Sequence, residues 1–402
     1  MALKVAVFRP PHARHDTMFE LQAAMYRRLV EEGHAEVTVF HDAARPFKYP
    51  GLETRAVRSG FGPFAHRLEK SFGIRPYRSA LRALSGFDVI ETSDPTLYAY
   101  PQVALKATRR CGTALVCGSS VTLWSVRTAA ASRAREVLES ATAILCTTPL
   151  ARRRFEILRL IRAGDPRVVI TGHPVDLDRF RPARSDRKER VVLTVCRLEE
   201  SKGLIEALEA FQAAPEEWSW WVVGEGPLRQ RLQDLVADLN LEGRVRLVGA
   251  MPHKQIHNLY ARASILLHLP RSTAEWEEYF GAVLIEAMAS GVAVVANRTG
   301  AIPWVVGDAG VLVDSPDAGD ALRRLIDDES LRVSLAMSGR RLVEDRFAIG
   351  DVAGRVLSAW HKGGTDLRGQ STPSSPVLTP ERTASPIAAR DRRDPSDAGQ
   401  DA

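Results

Sequence analysis

The chain reads as an α/β protein of two doubly wound parallel sheets that face each other across a cleft. Three observations predict this. Short runs that are apolar on both faces alternate with longer helical patterns, as in a parallel sheet covered by helices. The alternation breaks once, in a polar and basic stretch over 176–190, and then begins again. The 402 residues are also enough for two domains, each with its own core, and a tail beyond them.

Taken in order, 4–8 predicts the first strand, 18–32 a helix and 35–40 the second strand, with further strands over 87–91, 113–117, 143–146 and 167–170. The stretch 176–190 has no core periodicity and reads as an interdomain linker. Beyond it, strands fall over 191–195, 218–223, 245–248, 265–269 and 292–296, with helices over 204–213, 228–240 and 282–289. A last helix covers 349–360. From Gly363 onward Ser, Thr, Pro, Arg and Asp dominate without aliphatic clustering, which predicts disorder. The expected units are therefore 1–175, a linker 176–190, 191–345, a C-terminal helix 346–362 and a tail 363–402.

Apolar residues make up 45% and charged residues 26%, an ordinary balance for a globular protein. Cys111, Cys117, Cys146 and Cys196 lie in apolar runs without metal or disulfide spacing, so all four read as reduced core residues of a cytoplasmic protein. The opening residues lack the pattern of a signal peptide, and no apolar run reaches membrane-spanning length. A basic stretch with Arg55, Arg58, Arg67, Lys70, Arg75, Arg78 and Arg82 interleaves with Phe61, Phe64, Phe72 and Tyr77. It reads either as a solvated face or as a peripheral contact with anionic membrane. No nucleic-acid-binding motif accompanies it.

Glu286 is the residue that most needs explaining, because it interrupts the apolar stretch 282–289 and a buried carboxylate is costly unless paired. Gly281 and Gly291 suit the two ends of that helix, whose first amides then point toward the loop carrying Glu278. Such an end attracts phosphate, while a carboxylate one to two turns in can accept hydroxyls. Arg197 and Lys202 follow the strand 191–195 and can clamp a diphosphate, one as a planar fork and the other as a point charge. Gly224 and Gly226 follow the next strand, and Gly300 a third, at turns where backbone can approach a ligand closely. Each of these is weak alone; together they point to a phosphate-bearing, hydroxyl-rich ligand such as a nucleotide sugar.

In this order, Val195-Cys196-Arg197-Leu198, Lys202-Gly203, Gly224-Glu225-Gly226-Pro227-Leu228, Glu278-Tyr279-Phe280-Gly281, Glu286-Ala287-Met288-Ala289-Ser290-Gly291 and Gly307-Asp308-Ala309-Gly310 resemble the retaining GT-B glycosyltransferases of family 4. The resemblance covers about 3–360. It implies the GT-B fold, two facing Rossmann-like domains, and transfer of a hexosyl group from a GDP- or UDP-linked sugar to an acceptor such as a lipid, glycan or natural product. By resemblance, Arg197 and Lys202 hold the donor diphosphate, Glu286 the ribose, and Glu278 the transferred sugar. Phe280, Gly281 and Val283 then supply amides, and Gly224 and Gly226 belong to the donor loops. Retention follows from a front-face route in which the departing phosphate takes the acceptor proton, so no metal or other cofactor is expected. Asp176 and Asp178 in the linker read as structural.

The acceptor side, with His12, His15 and Ser119, departs from the family pattern. The loop after the first strand has no glycine pair, Gly118-Ser119-Ser120 stands where a histidine is frequent, and His173-Pro174 replaces a usual Asn-Gly. Two other readings follow: a degenerate member acting as a nucleotide-sugar-binding scaffold, or a nucleotide-sugar epimerase. A nicotinamide oxidoreductase is disfavoured by Pro10-Pro11 after the first strand, where a glycine-rich turn would be needed.

Overall fold

Each half folds around one sheet. The computed structural model describes residues 2–10, 17–44, 46, 48–59, 77–120, 128–183, 188–273 and 276–365. In the first half, β1 (Leu3–Phe8), β2 (Ala35–Asp42), β3 (Glu53–Val57), β4 (Val89–Thr92), β5 (Ala114–Ser119), β6 (Ala143–Cys146) and β7 (Val168–Ile170) lie in the order β3-β2-β1-β4-β5-β6-β7. In the second, β8 (Val191–Val195), β9 (Ser219–Val223), β10 (Val245–Gly249), β11 (Ile265–His268), β12 (Ala293–Asn297) and β13 (Val311–Val313) lie in the order β10-β9-β8-β11-β12-β13. All these pairings are parallel.

The order positions the site. Each sheet winds outward from its first strand, returns past it and winds out the other way, so β1/β4 and β8/β11 are the points where connections leave in opposite directions. A crevice opens there at the carboxyl ends of the strands. Every residue of β8 and β12 is buried, as expected when helices cover both faces. The sequence reading missed β3 and β13. β3 is an edge strand whose Glu53 and Arg55 face solvent, so it carries no apolar run, and β13 is an apolar run of only three residues, too short to stand out as a strand.

The chain crosses between the halves twice, at neighbouring points. Val175 and Ala348 form an isolated parallel bridge, and the Val175 amide donates to the Phe347 carbonyl at 2.8 Å. The linker is less detached than its composition suggests: Phe180 is fully buried in the second core, and Lys188 donates to the carbonyls of Tyr260 and Ser290. Asp176 caps its own turn, accepting from the amides of Asp178 and Arg179.

The C-terminal boundary also moves. One helix runs unbroken over Glu329–Phe347, Ala348 is extended, and the helix Ile349–Thr365 then packs on the first sheet. There Val352, Val356 and Trp360 share a core with Val5, Tyr26 and Val116.

Two further expectations are corrected. Cys111 is exposed, because it ends the helix Pro101–Cys111 on its solvent side, whereas Cys117 and Cys146 are buried. Tyr77 belongs to no surface patch: it is buried against Phe8 and its hydroxyl donates to Asp42 at 2.7 Å. Arg67, Lys70, Arg75, Phe61, Phe64 and Phe72, like the tail beyond Thr365, lie outside the described residues.

Candidate active site

The β8/β11 switch point gathers Lys202, Glu278 and His268. After β8 the chain makes a short turn over Glu200–Lys202 and reaches Gly203, whose φ is 63°. A Cβ there would stand 1.8 Å from the Leu269 carbonyl oxygen, so only glycine lets this loop lie against the end of β11. That contact sets Lys202 beside Glu278, Nζ to Oε2 at 2.9 Å, with the ammonium 4.0 Å from the Trp276 ring centre. His268, the last residue of β11, brings its Nε2 to 3.4 Å from the same carboxylate oxygen. Burial alone would push the Glu278 pKa up, but His268 and then Lys202 more than offset it and hold it down at about 2.

The glycine loops knit this edge together. A Cβ on Gly224 would meet the Cys196 carbonyl oxygen at 1.8 Å, one on Gly226 the Leu198 oxygen at 2.4 Å, and one on Gly300 the Glu278 oxygen at 2.2 Å. The space these glycines leave is thus filled by the neighbouring loop. Gly281, at φ 79°, opens the helix Ala282–Ala289, and no side chain caps that end. Phe280 is buried edge-on against His173, Trp304 and Phe347, while Val283 offers its carbonyl to the Tyr260 hydroxyl.

Glu286 is sealed in this helix and already engaged. His253 Nε2 lies 2.6 Å from Oε1, and the Tyr260 hydroxyl donates to Oε2 at 3.2 Å. The pairing explains how a carboxylate tolerates an apolar helix, and it leaves part of its acceptor capacity unspent. Burial, then Glu286, raises the Tyr260 pKa well above its ordinary value, which keeps that hydroxyl a donor. Arg197 stands apart from the cluster: its guanidinium donates to Glu199 at 2.6 Å and is 67% exposed.

The β1/β4 switch point repeats the arrangement. Arg9 follows β1 and donates to Glu91 of β4 at 2.5 Å and to Gln22 at 2.7 Å. Glu91 also accepts from the Tyr26 hydroxyl and from Trp360 Nε1 at 2.9 Å. Asp94, after β4, binds the fully buried Arg154 at 3.0 Å and accepts from Ser119 Oγ at 2.6 Å. Arg9, Gln22, Tyr26, Glu91, Asp94 and Ser119 line a cavity of about 210 Å³ that His173 also lines. Ser119 lines this cavity, whereas His12 and His15 lie outside the described residues.

The histidines His268, His253 and His173 were not assigned a role from sequence, nor were Arg9, Glu91 and Trp360. The signal for His268 was available: a polar residue closing an apolar strand at the carboxyl edge of a parallel sheet. Among the described residues no group of three or more His, Cys, Asp or Glu is arranged to hold a metal ion.

Comparison with known proteins decides the family. The profile described as Glycosyl transferases group 1 matches residues 177–342, and that described as Glycosyl transferase 4-like domain matches residues 22–172. The chain belongs to the group 1 glycosyl transferases. Among curated relatives, this transferase is 28% identical over 329 residues to a GDP-mannose-dependent alpha-(1-6)-phosphatidylinositol monomannoside mannosyltransferase of Mycolicibacterium smegmatis, covering 75% of this chain and 85% of that one. It is 32% identical over 178 residues to a putative colanic acid biosynthesis glycosyltransferase of Escherichia coli, 42% of this chain and 44% of the other. The chain spans about half the length of several such relatives, 45% for a D-inositol 3-phosphate glycosyltransferase of Corynebacterium jeikeium. In fold it is similar to Anabaena HepE, solved in complex with UDP and glucose, at TM-score 0.69 and 16% identity over 90% of this chain and 100% of that one. Sucrose-phosphate synthase of Thermosynechococcus elongatus gives TM-score 0.68 at 21% identity over 90% and 98%. The chain thus has the GT-B fold. No helix among its described residues is long and apolar enough to cross a membrane.

Proposed function

We propose that this chain is a retaining hexosyltransferase that takes its sugar from a UDP- or GDP-linked donor and passes it to a hydroxyl of an acceptor seated on the first domain. The observation that carries the reading is the Lys202–Glu278–His268 cluster at the β8/β11 switch point, beside the uncapped start of the helix Ala282–Ala289. Breaking the bond from the anomeric carbon to the diphosphate builds negative charge on the leaving group. Lys202, Arg197 and the helix amides stabilise that charge, a preorganised term that often dominates catalysis. Glu278, held ionised, has no proton to give; it accepts the hydroxyls of the transferred sugar. Glu286, oriented by His253 and Tyr260, takes the ribose. The departing phosphate oxygen removes the acceptor proton on the same face of the sugar, so the proposed reaction needs neither a protein base nor a metal.

Thermal unfolding with UDP, GDP, ADP and dTDP in turn tests the donor site, since a ligand at about a hundred times its dissociation constant stabilises the folded state by roughly 2.7 kcal/mol. One nucleotide should shift the transition, and its sugar derivative should then transfer in the presence of EDTA. A protein indifferent to all four would favour a scaffold that has lost its donor, and sugar conversion without any acceptor would favour an epimerase.

A further inference from the structure

Two buried polar atoms at the first-domain cavity have no partner among the described residues: Nδ1 of His173 and Nε of Arg9. His173 is 2% exposed. Leaving such groups unsatisfied is costly, so a site with two of them on one cavity is built for something that supplies hydrogen bonds. We infer that this cavity seats one uncharged, hydroxyl-bearing ring of the acceptor, with His173 as the residue that selects it. The inference rests on the transferase reading for the word acceptor, but the ring site stands on its own geometry.

Charge decides against an anion. Arg9 is neutralised by Glu91, and Asp94 by Arg154, so among the described residues the cavity offers no uncommitted cation and presents two carboxylates to any phosphate that entered. The imidazole adds no charge, because burial and then Arg9 lower its pKa to about 3. The cavity, at about 210 Å³, has room for one ring. The walls supply Met25, Leu97, Val352 and Val356 for its C–H faces, and Ser119 for a further hydroxyl. His173 is pinned edge-on against Phe280 at 4.7 Å, two residues from Glu278 along the chain, so the ring is held at the wall shared with the donor loop.

The test uses the full chain and ligand-observed NMR with methyl α-D-mannopyranoside, methyl α-D-glucopyranoside and myo-inositol, against inorganic phosphate. At least one polyol should bind saturably. His173→Phe keeps the ring against Phe280 but removes the hydrogen-bonding atom, and should weaken that polyol about tenfold or more. His173→Asn places an amide atom where Nδ1 stood and should stay within about threefold. Nucleoside diphosphate affinity, measured on the same samples, should be unchanged in both and certifies the fold; His173→Leu serves if the phenyl ring is not accommodated. Equal polyol binding in His173→Phe, preference for phosphate, or no polyol bound by a protein that binds nucleotide would each overturn the inference. Polyol binding without nucleotide binding would instead sink the donor reading and leave the ring site standing.

Discussion

At the scale of single residues, function rests on how buried charges are paired. Lys202 is the cation closest to the place proposed for the diphosphate, and hydrogen bonds to charged groups contribute about 1.5–3 kcal/mol. Lys202→Ala should therefore weaken UDP or GDP binding by roughly tenfold to a hundredfold in calorimetry. An unaltered affinity in the folded variant would remove Lys202 from the site. Two acid-labile groups have separable windows. Glu278 is depressed to about 2, so its contribution is full above the ordinary carboxylate range and is lost as pH falls toward 2. His173 is depressed from 6.5 to about 3, so the stability it confers by staying neutral is full above pH 6.5 and drains away below it. Between about pH 6.5 and 5 the Glu278 contribution is constant, and the melting temperature of His173→Asn should fall less steeply than that of the parent. Identical slopes would mean that His173 is not held neutral. Glu278, Lys202 and Glu286 were legible in the sequence because a carboxylate in an apolar helix and a cation after a strand break a pattern. His253 and His173 were not, since a lone histidine has no spacing to betray it, and His268 was marked only by its place at the end of an apolar strand.

At the scale of elements, glycines fix the loops that carry those residues. Gly224 has φ 143° and a backbone carbonyl where its Cβ would be, so Gly224→Ala must move the β8 loop or the β9 loop. The substitution should cost several kcal/mol and lower the melting temperature by many degrees. Gly243→Ala is the control: nothing lies within 4 Å of its Cβ, and it should leave stability unchanged or slightly raised. A Gly224→Ala protein as stable as the control would show that the two loops are not locked together. The sequence pointed to these glycines for close approach to a ligand, and it is the partner loop that takes the space. Sequence could mark the turn but not what lies across it, because that neighbour is set by strand order. The same limit hid β3 and β13, whose short or polar stretches become strands only through β2 and β12 beside them.

At the scale of the whole molecule, the two domains repeat one plan, each with a cation after its first strand paired to an acid on or after the strand across the switch point: Arg9 with Glu91, and Lys202 with Glu278. The βα alternation made the sheets and the last helix legible, but not where that helix packs, which depends on the chain crossing back at Ala348. That crossing brings Trp360, fully buried and stacked on Tyr26, to donate to Glu91. Glu91 in turn fixes Arg9 at the cavity, so the end of the folded chain helps to shape a site built on its beginning. Trp360→Phe preserves most of the packing and deletes the donor. It should cost about 1–2 kcal/mol of stability. It should also weaken polyol binding at the first-domain cavity while leaving nucleoside diphosphate affinity alone, because no contact links Trp360 to the β8/β11 edge among the described hydrogen bonds. Parallel titrations of both ligands on the variant decide the point. An equal loss of both would mean that the helix Ile349–Thr365 holds the two domains together as a whole, and that Glu91 does not act locally through Arg9.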